Sequence, residues 1–242
     1  MLTREELIDY IYSKQRETRL LSNRTNKLKN KRLKYFELQK HVDEFIESDD
    51  EYYHRVIMMP GLRGVGKTTI LYQLYDYLTS KKDVEETDVF FLDMHDLRTV
   101  HNGDIKEMVE LYLEDAHHAT LSSLEKKVFI FIDEAQLDKN WAKYAKLVHD
   151  KSVTIFMIIT GSSAITFEVN SDTARRIRKE EIYPLNFREY LHLQYDIKLS
   201  ENNFKNLILK GDEESIRQAM EEEKTIKKEL VKLDNDPNIE LK

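Results

Sequence analysis

The sequence predicts an α/β fold in which about five buried strands alternate with helices, and three observations carry that prediction. Short apolar runs of strand length, among them 128–132 and 155–159, alternate with stretches whose apolar residues recur at helical spacing. Between the first strand and the helix after it, Pro60-Gly61-Leu62-Arg63-Gly64-Val65-Gly66-Lys67-Thr68-Thr69 fits the phosphate-loop pattern G-x-x-x-x-G-K-[ST]. A later apolar strand ends in two adjacent carboxylates, Asp133 and Glu134.

Composition narrows the class. Apolar residues make up 40% of the chain and charged residues 34%, as in a soluble, helix-rich protein. The longest apolar runs fall far short of the roughly 20 residues that cross a bilayer, and the first residues lack the apolar core of a signal peptide. No membrane association is expected. The net charge of −7 argues against whole-surface affinity for nucleic acid, though not against a local basic patch. Cysteine is absent, which excludes disulfides, thiolate metal sites and a cysteine nucleophile, and fits a cytoplasmic location.

Residues 1–52 form the first expected region. It is helical, with no glycine or proline in its first 50 residues and with Leu7, Ile8, Ile11, Leu33, Phe36, Val42, Phe45 and Ile46 among its apolar positions. Lys14, Arg16, Arg19, Arg24, Lys27, Lys29, Lys31, Arg32 and Lys34 form a basic block relieved by Glu17. No aromatic residue interleaves the block for base stacking, so a solvated helical face is the preferred reading. Contact of the 14–34 segment with nucleic acid or an acidic partner stays open.

Residues 53–195 form the core. A strand over 55–59 leads into the loop, whose glycines let backbone N–H groups close on phosphate oxygens where a Cβ would clash. The stretch from Gly61 through Leu62, Arg63, Gly64, Val65 and Gly66 to Thr69 is therefore the candidate phosphate cradle. Lys67 supplies a point charge to the β- and γ-phosphates, and Thr68 a hard oxygen for Mg²⁺. The helix over 68–78 buries Ile70, Leu71, Leu74, Tyr75 and Leu78 and points its N-terminus at the anion.

A second strand covers 89–93, and His95, Asp96 and Arg98 are expected in the loop beyond it, at the edge that faces the ligand crevice. Asp93 and Asp96 either approach the nucleotide or serve the loop. The next helix spans 104–121. Its adjacent His117 and His118 point about 100° apart and make a poor metal pair. At the end of the 128–132 strand, Asp133 is the candidate Mg²⁺ ligand and Glu134 the group that polarises the attacking water.

A helix over 141–149 precedes a strand over 153–160 and the turn Gly161-Ser162-Ser163. Thr160 and Ser162, with Ser163 behind them, are candidates to sense a γ-phosphate or orient the water, although turn chemistry alone also accounts for Gly-Ser-Ser. Arg175, Arg176 and Arg178 read either as a solvated basic helix or as the source of an arginine that reaches a γ-phosphate in the same chain or a neighbour. A last short strand is expected over 181–185, and Asn186 opens another helix. Residues 196–242 form a charged helical segment broken at Lys210-Gly211-Asp212, with a frayed end.

The phosphate loop, Ile132-Asp133-Glu134-Ala135-Gln136, Ile159-Thr160-Gly161-Ser162-Ser163 and Tyr183-Pro184-Leu185-Asn186-Phe187-Arg188-Glu189-Tyr190 occur in order. Together they resemble the prokaryotic AAA+-like ATPases of the P-loop superfamily, close to the STAND (signal-transduction) ATPases, over about 55–193. The first two carry the Walker A and Walker B motifs. The resemblance implies a parallel sheet in the order 5-1-4-3-2, ATP and Mg²⁺ as cofactors, and hydrolysis coupled to assembly or switching. It makes Arg176, eight residues before Pro184, the arginine usually found upstream of the Pro-Leu-x-Phe segment. Such proteins continue into a helical lid and further domains, so 196–242 is expected as a partial lid. GTP is the weaker alternative, because neither Asp-x-x-Gly nor a guanine-reading Asn/Thr-Lys-x-Asp is placed to serve it.

The expected function is thus Mg²⁺-dependent ATP hydrolysis driving a conformational or assembly switch, in a homo-oligomer or with a protein partner. The alternative is an ATP-dependent binding switch with little turnover, acting on a protein or DNA.

Overall fold

The structure, a computed structural model, describes residues 2–25, 28, 30–48, 53–162, 171–197 and 202–234. The chain forms two compact units, Met1–Pro184 and Leu185–Lys242.

The first unit opens with α1 (Arg4–Thr25) and α2 (Leu33–Glu47), then runs β1 (Val56–Pro60), α3 (Lys67–Lys81), β2 (Val89–Asp93), α4 (Met94–Val100) and α5 (Ile105–His117). It continues with β3 (Val128–Asp133), α6 (Trp141–Lys151), β4 (Ile155–Gly161), α7 (Ser171–Ala174) and β5 (Arg178–Lys179). The sheet is parallel throughout, in the order β2-β3-β4-β1-β5, which is the expected 5-1-4-3-2 read from the other edge. Parallel strands need crossovers, and the helices supply them on both faces.

Alternation along each strand divides the core in two. Val56, Met58, Phe90, Leu92, Ile130, Ile132, Met157 and Ile159 face the side covered by α5 and α6. Ile57, Met59, Phe91, Phe129, Phe131, Phe156 and Ile158 face α2 and α3. There Phe45 of α2 meets Phe129 and Phe156 at ring-centroid distances of 5.5 and 5.3 Å. Burial of each such ring contributes about 1.5–3 kcal/mol. Two long cations finish helices from inside the fold. Lys127 donates to the carbonyls of Phe45, Ile46 and Ser48 at 2.9, 3.0 and 2.7 Å, satisfying the end of α2. Arg55, 1% exposed, donates to Ser152 O at 2.9 Å and to His149 O, closing α6.

Three expectations need correction. The segment around His95 to Arg98 is not a loop but α4, because the Asp93 carboxylate caps it by accepting from the amides of His95 and Asp96 at 2.8 and 3.2 Å. The last strand is not 181–185 but the shorter β5, extended by a bridge between Gly61 and Ile182. Pairing with β1 already begins at Arg178, and Pro184, with no N–H, cannot prolong the ladder. The 173–179 arginine stretch is not one basic helix, since its residues divide among α7, a turn and β5.

The second unit holds α8 (Phe187–Tyr195), α9 (Asn202–Lys210) and α10 (Glu213–Asp234), with α9 packed on α10. Asn186 caps α8 by accepting from Glu189 N at 2.8 Å, and Gly211 takes φ 63° between α9 and α10. No helix among the described residues is long and apolar enough to cross a membrane.

Candidate functional site

The loop from Gly61 to Thr69 joins β1 to α3 at the C-terminal edge of the sheet. Gly64 and Gly66 sit at φ 82° and 93°, the left-handed region that lets successive amides turn inward. Gly61 is required for a different reason. A Cβ there would fall 2.4 Å from Ile182 Cγ2 and 2.6 Å from the Ile182 carbonyl. The Lys67 ammonium donates to the carbonyls of Gly61 and Leu62, each at 3.0 Å, so the side chain lies back over the loop. Arg32 braces the outer side by donating to the carbonyl of Val65 and, at 2.9 Å, to that of Tyr183.

Strands β3 and β4 bring the second half of the site. Thr68 donates its hydroxyl hydrogen to Asp133 Oδ2 at 2.6 Å, and the Thr160 hydroxyl donates to the other oxygen, Oδ1. Thr160 in turn accepts from the Glu134 amide at 3.3 Å. Glu134 occupies the left-handed region at φ 55°, ψ 40°, a conformation that costs a side-chain-bearing residue about 1–2 kcal/mol. Its carboxylate accepts from the Gln136 side-chain amide, and Gln136 Oε1 accepts from the Ser162 amide at 3.3 Å. Burial, reinforced by the charge of Asp133 on the next strand, raises the pKa of Asp93.

A cleft of about 620 Å³ is lined by Arg63, Gly64, Gly66, Lys67, Thr68, Thr69, Asp133, Glu134 and Ser162 from the expected set, by Asp93, and by His95 and Leu137 in addition; Gly61, Val65 and the fully buried Thr160 lie outside its lining. Leu62 points outward and is 56% exposed. Ser163 lies outside the described residues. Arg175 and Arg176 are not brought into the cleft. Arg176 is held by Asp150 at 2.5 Å and Asp172 at 2.6 Å, while Arg175 is exposed and its carbonyl accepts from the Tyr53 hydroxyl.

The chemistry of the cleft fits a nucleotide phosphate with a hard divalent ion. The glycines leave room for backbone to approach an anion, and Lys67 is an ammonium within reach of what enters the loop. Thr68 and Asp133 offer two hard oxygens side by side. Two protein oxygens suit a hard ion that keeps waters and phosphate oxygens in its shell.

The basic block lies on the surface as expected, with Arg16, Arg19 and Arg24 exposed, and several of its cations pair with carboxylates of the same chain. Lys14 pairs with Glu17 at 2.6 Å and with Asp96, Arg19 with Glu86 at 3.2 Å, and Lys34 with Glu180 at 3.0 Å. Lys31 lies 4.0 Å over the Tyr35 ring. Lys27 and Lys29 lie outside the described residues. No local spacing announces the contacts that Arg32 makes with Val65 and Tyr183 or that Gln136 makes with Ser162.

Comparison with known proteins finds a match to the AAA domain model over residues 53–191. Among curated proteins, an uncharacterized protein of Methanocaldococcus jannaschii is 36% identical over 214 residues, covering 88% of this chain and 43% of that protein. A second uncharacterized protein of the same organism is 26% identical over 140 residues, 57% of this chain and 28% of its own length. The chain therefore spans less than half the length of these relatives. Among solved structures, Hsp104 in a closed-state reconstruction with ATPγS and FITC casein has a TM-score of 0.45 at 17% identity, over 72% of this chain and 31% of that one. The Drosophila ORC bound to DNA has a TM-score of 0.43 at 14% identity, over 71% and 48%.

Proposed function

The chain belongs to the AAA domain family, and from that premise we propose that it binds ATP with Mg²⁺ and hydrolyses it to ADP and phosphate. The observation that carries the reading is the meeting of Thr68 and Asp133 at 2.6 Å beside Lys67, with Glu134 next in sequence at the mouth of the same cleft. In this reading the loop amides and Lys67 bind the β- and γ-phosphates, and Thr68 and Asp133 would hold the ion. Bound Mg²⁺ would neutralise charge on the phosphate oxygens. Glu134 takes a proton from water as the water oxygen attacks the γ-phosphorus, and ADP leaves with the electron pair of the broken P–O bond. Ser162, which lines the cleft, would register the γ-phosphate, and fully buried Thr160 would act through Asp133 and the Glu134 amide.

Hydrolysis would drive a conformational or assembly switch in a homo-oligomer or with a protein partner. Exposed Arg175 is the arginine better placed to enter a neighbouring copy's cleft, since Arg176 is engaged by two carboxylates of its own chain. A protein partner or DNA at the 14–34 segment would have to compete with the pairs that Lys14, Arg19 and Lys34 make within the chain.

Phosphate release measured for wild type, Lys67→Ala and Glu134→Gln tests the reading. Both variants should lose about 10²–10⁴-fold in turnover. Equal rates in all three would overturn the assignment.

A further inference from the structure

Glu134 is held by a residue to which no role has yet been given. Glu134 sits on a left-handed turn at φ 55° and lines the cleft. Gln136, two residues on, donates its side-chain N–H to Glu134 Oε2. The other end of the same amide accepts the Ser162 N–H at 3.3 Å, across from β3 to β4. The amide cannot be reversed. Turned over, its N–H groups would face the Ser162 N–H and its oxygen would face a carboxylate. Only a side chain with a donor and an acceptor at one end joins these two groups. Asparagine is one methylene too short for the reach, and an ionised glutamate has no donor.

We propose that Gln136 is a positioning residue for hydrolysis, anchoring to the β4 end at Ser162 and fixing the direction of the Glu134 carboxylate. With Oε2 engaged by the amide, Oε1 is the oxygen that takes the water proton. The same bridge ties the carboxylate to the strand end carrying Thr160, whose hydroxyl already spans the Asp133 side chain and the Glu134 amide. The inference rests on Glu134 acting as the proposed base.

The test is Mg²⁺-dependent phosphate release and equilibrium ATP binding for wild type, Gln136→Ala and Gln136→Glu, with Glu134→Gln as control. Misplacement of the base should cut kcat of Gln136→Ala by about 10–100-fold while the affinity for ATP changes by no more than about twofold. Gln136→Glu keeps the length of the side chain but replaces the donor with a second carboxylate that repels Glu134, so its kcat should fall at least as far as that of Gln136→Ala, again with ATP affinity within about twofold. A residue that merely supports the fold would lose binding and turnover together. Three results would overturn the inference: wild-type turnover in Gln136→Ala, loss of ATP binding in step with kcat, or wild-type turnover in Gln136→Glu. If Glu134→Gln itself turns over like wild type, the functional reading fails as well. If that control is inactive while Gln136→Ala behaves as wild type, this inference alone fails.

Discussion

The Thr68 hydroxyl donates to the Asp133 carboxylate at 2.6 Å across 65 residues of sequence. Two elements make the contact: α3 begins at Lys67, immediately after the left-handed Gly66, and β3 ends at Asp133. If these two oxygens hold the ion, Thr68→Val removes one hard ligand while keeping the branched shape. Chelation of Mg²⁺ should then weaken ATP binding in wild type and scarcely affect the variant. An unchanged response to chelation in Thr68→Val would exclude Thr68 as a ligand.

Two glycines of the loop should differ in how they tolerate alanine. At Gly61 the new methyl would meet the Ile182 carbonyl at 2.6 Å, and backbone cannot yield as a side-chain tip can. Overpacking of this kind costs about 1–3 kcal/mol and would push β1 from the Gly61–Ile182 bridge. At Gly64 nothing lies within 4 Å, so Gly64→Ala pays only for its positive φ, about 1–2 kcal/mol. Urea midpoints at constant m-value compare the two, and ATP binding should fall further for Gly61→Ala.

Arg55→Met should destabilise the first unit without touching the cleft. The guanidinium satisfies Ser152 O and His149 O in a site 1% exposed, and hydrogen bonds from a charged donor contribute about 1.5–3 kcal/mol each. A drop of roughly 3 kcal/mol in unfolding free energy is expected, with turnover per folded molecule unchanged. A neutral effect on the urea midpoint would contradict this account of how α6 ends.

Stability should fall as pH drops below the ordinary histidine range. Burial, helped by the charge of Arg178, lowers the pKa of His41 despite Glu180 and Glu44 nearby. Burial likewise lowers His149, helped by Arg55, and His117. A histidine with a depressed folded pKa takes up its proton more readily when unfolded. Its contribution is therefore complete above about 6.5 and is lost as pH falls from there through the folded value. Thermal midpoints should decline on acidification through this window, and His41→Gln should flatten part of the decline.

Much of the fold is legible locally because it is written in short apolar runs. The strand at 89–93 and the strand ending at Asp133 emerge where periodicity puts them, and Asn186 caps α8 as its side chain implies. The departures come from contacts between distant residues. Nothing near His95 signals a helix until Asp93 is seen capping it, and β5 is defined by its partner Met58 more than by its own residues. In the cleft, Lys67, Thr68, Asp133 and Glu134 come together as their order in the sequence leads one to expect. Arg32 and Gln136 are not legible in this way, since each acts by reaching an atom in another element.

The most direct test of the central claim uses Glu134→Gln. Mg-ATP is titrated into the variant, and the bound nucleotide is recovered and identified after prolonged incubation. The loop, Lys67, Thr68 and Asp133 are intact, so the variant should bind ATP as wild type does and return it as ATP. Recovery of ADP and phosphate would contradict the role of Glu134, and failure of the variant to bind would contradict the division between a cradle that binds and a carboxylate that activates water.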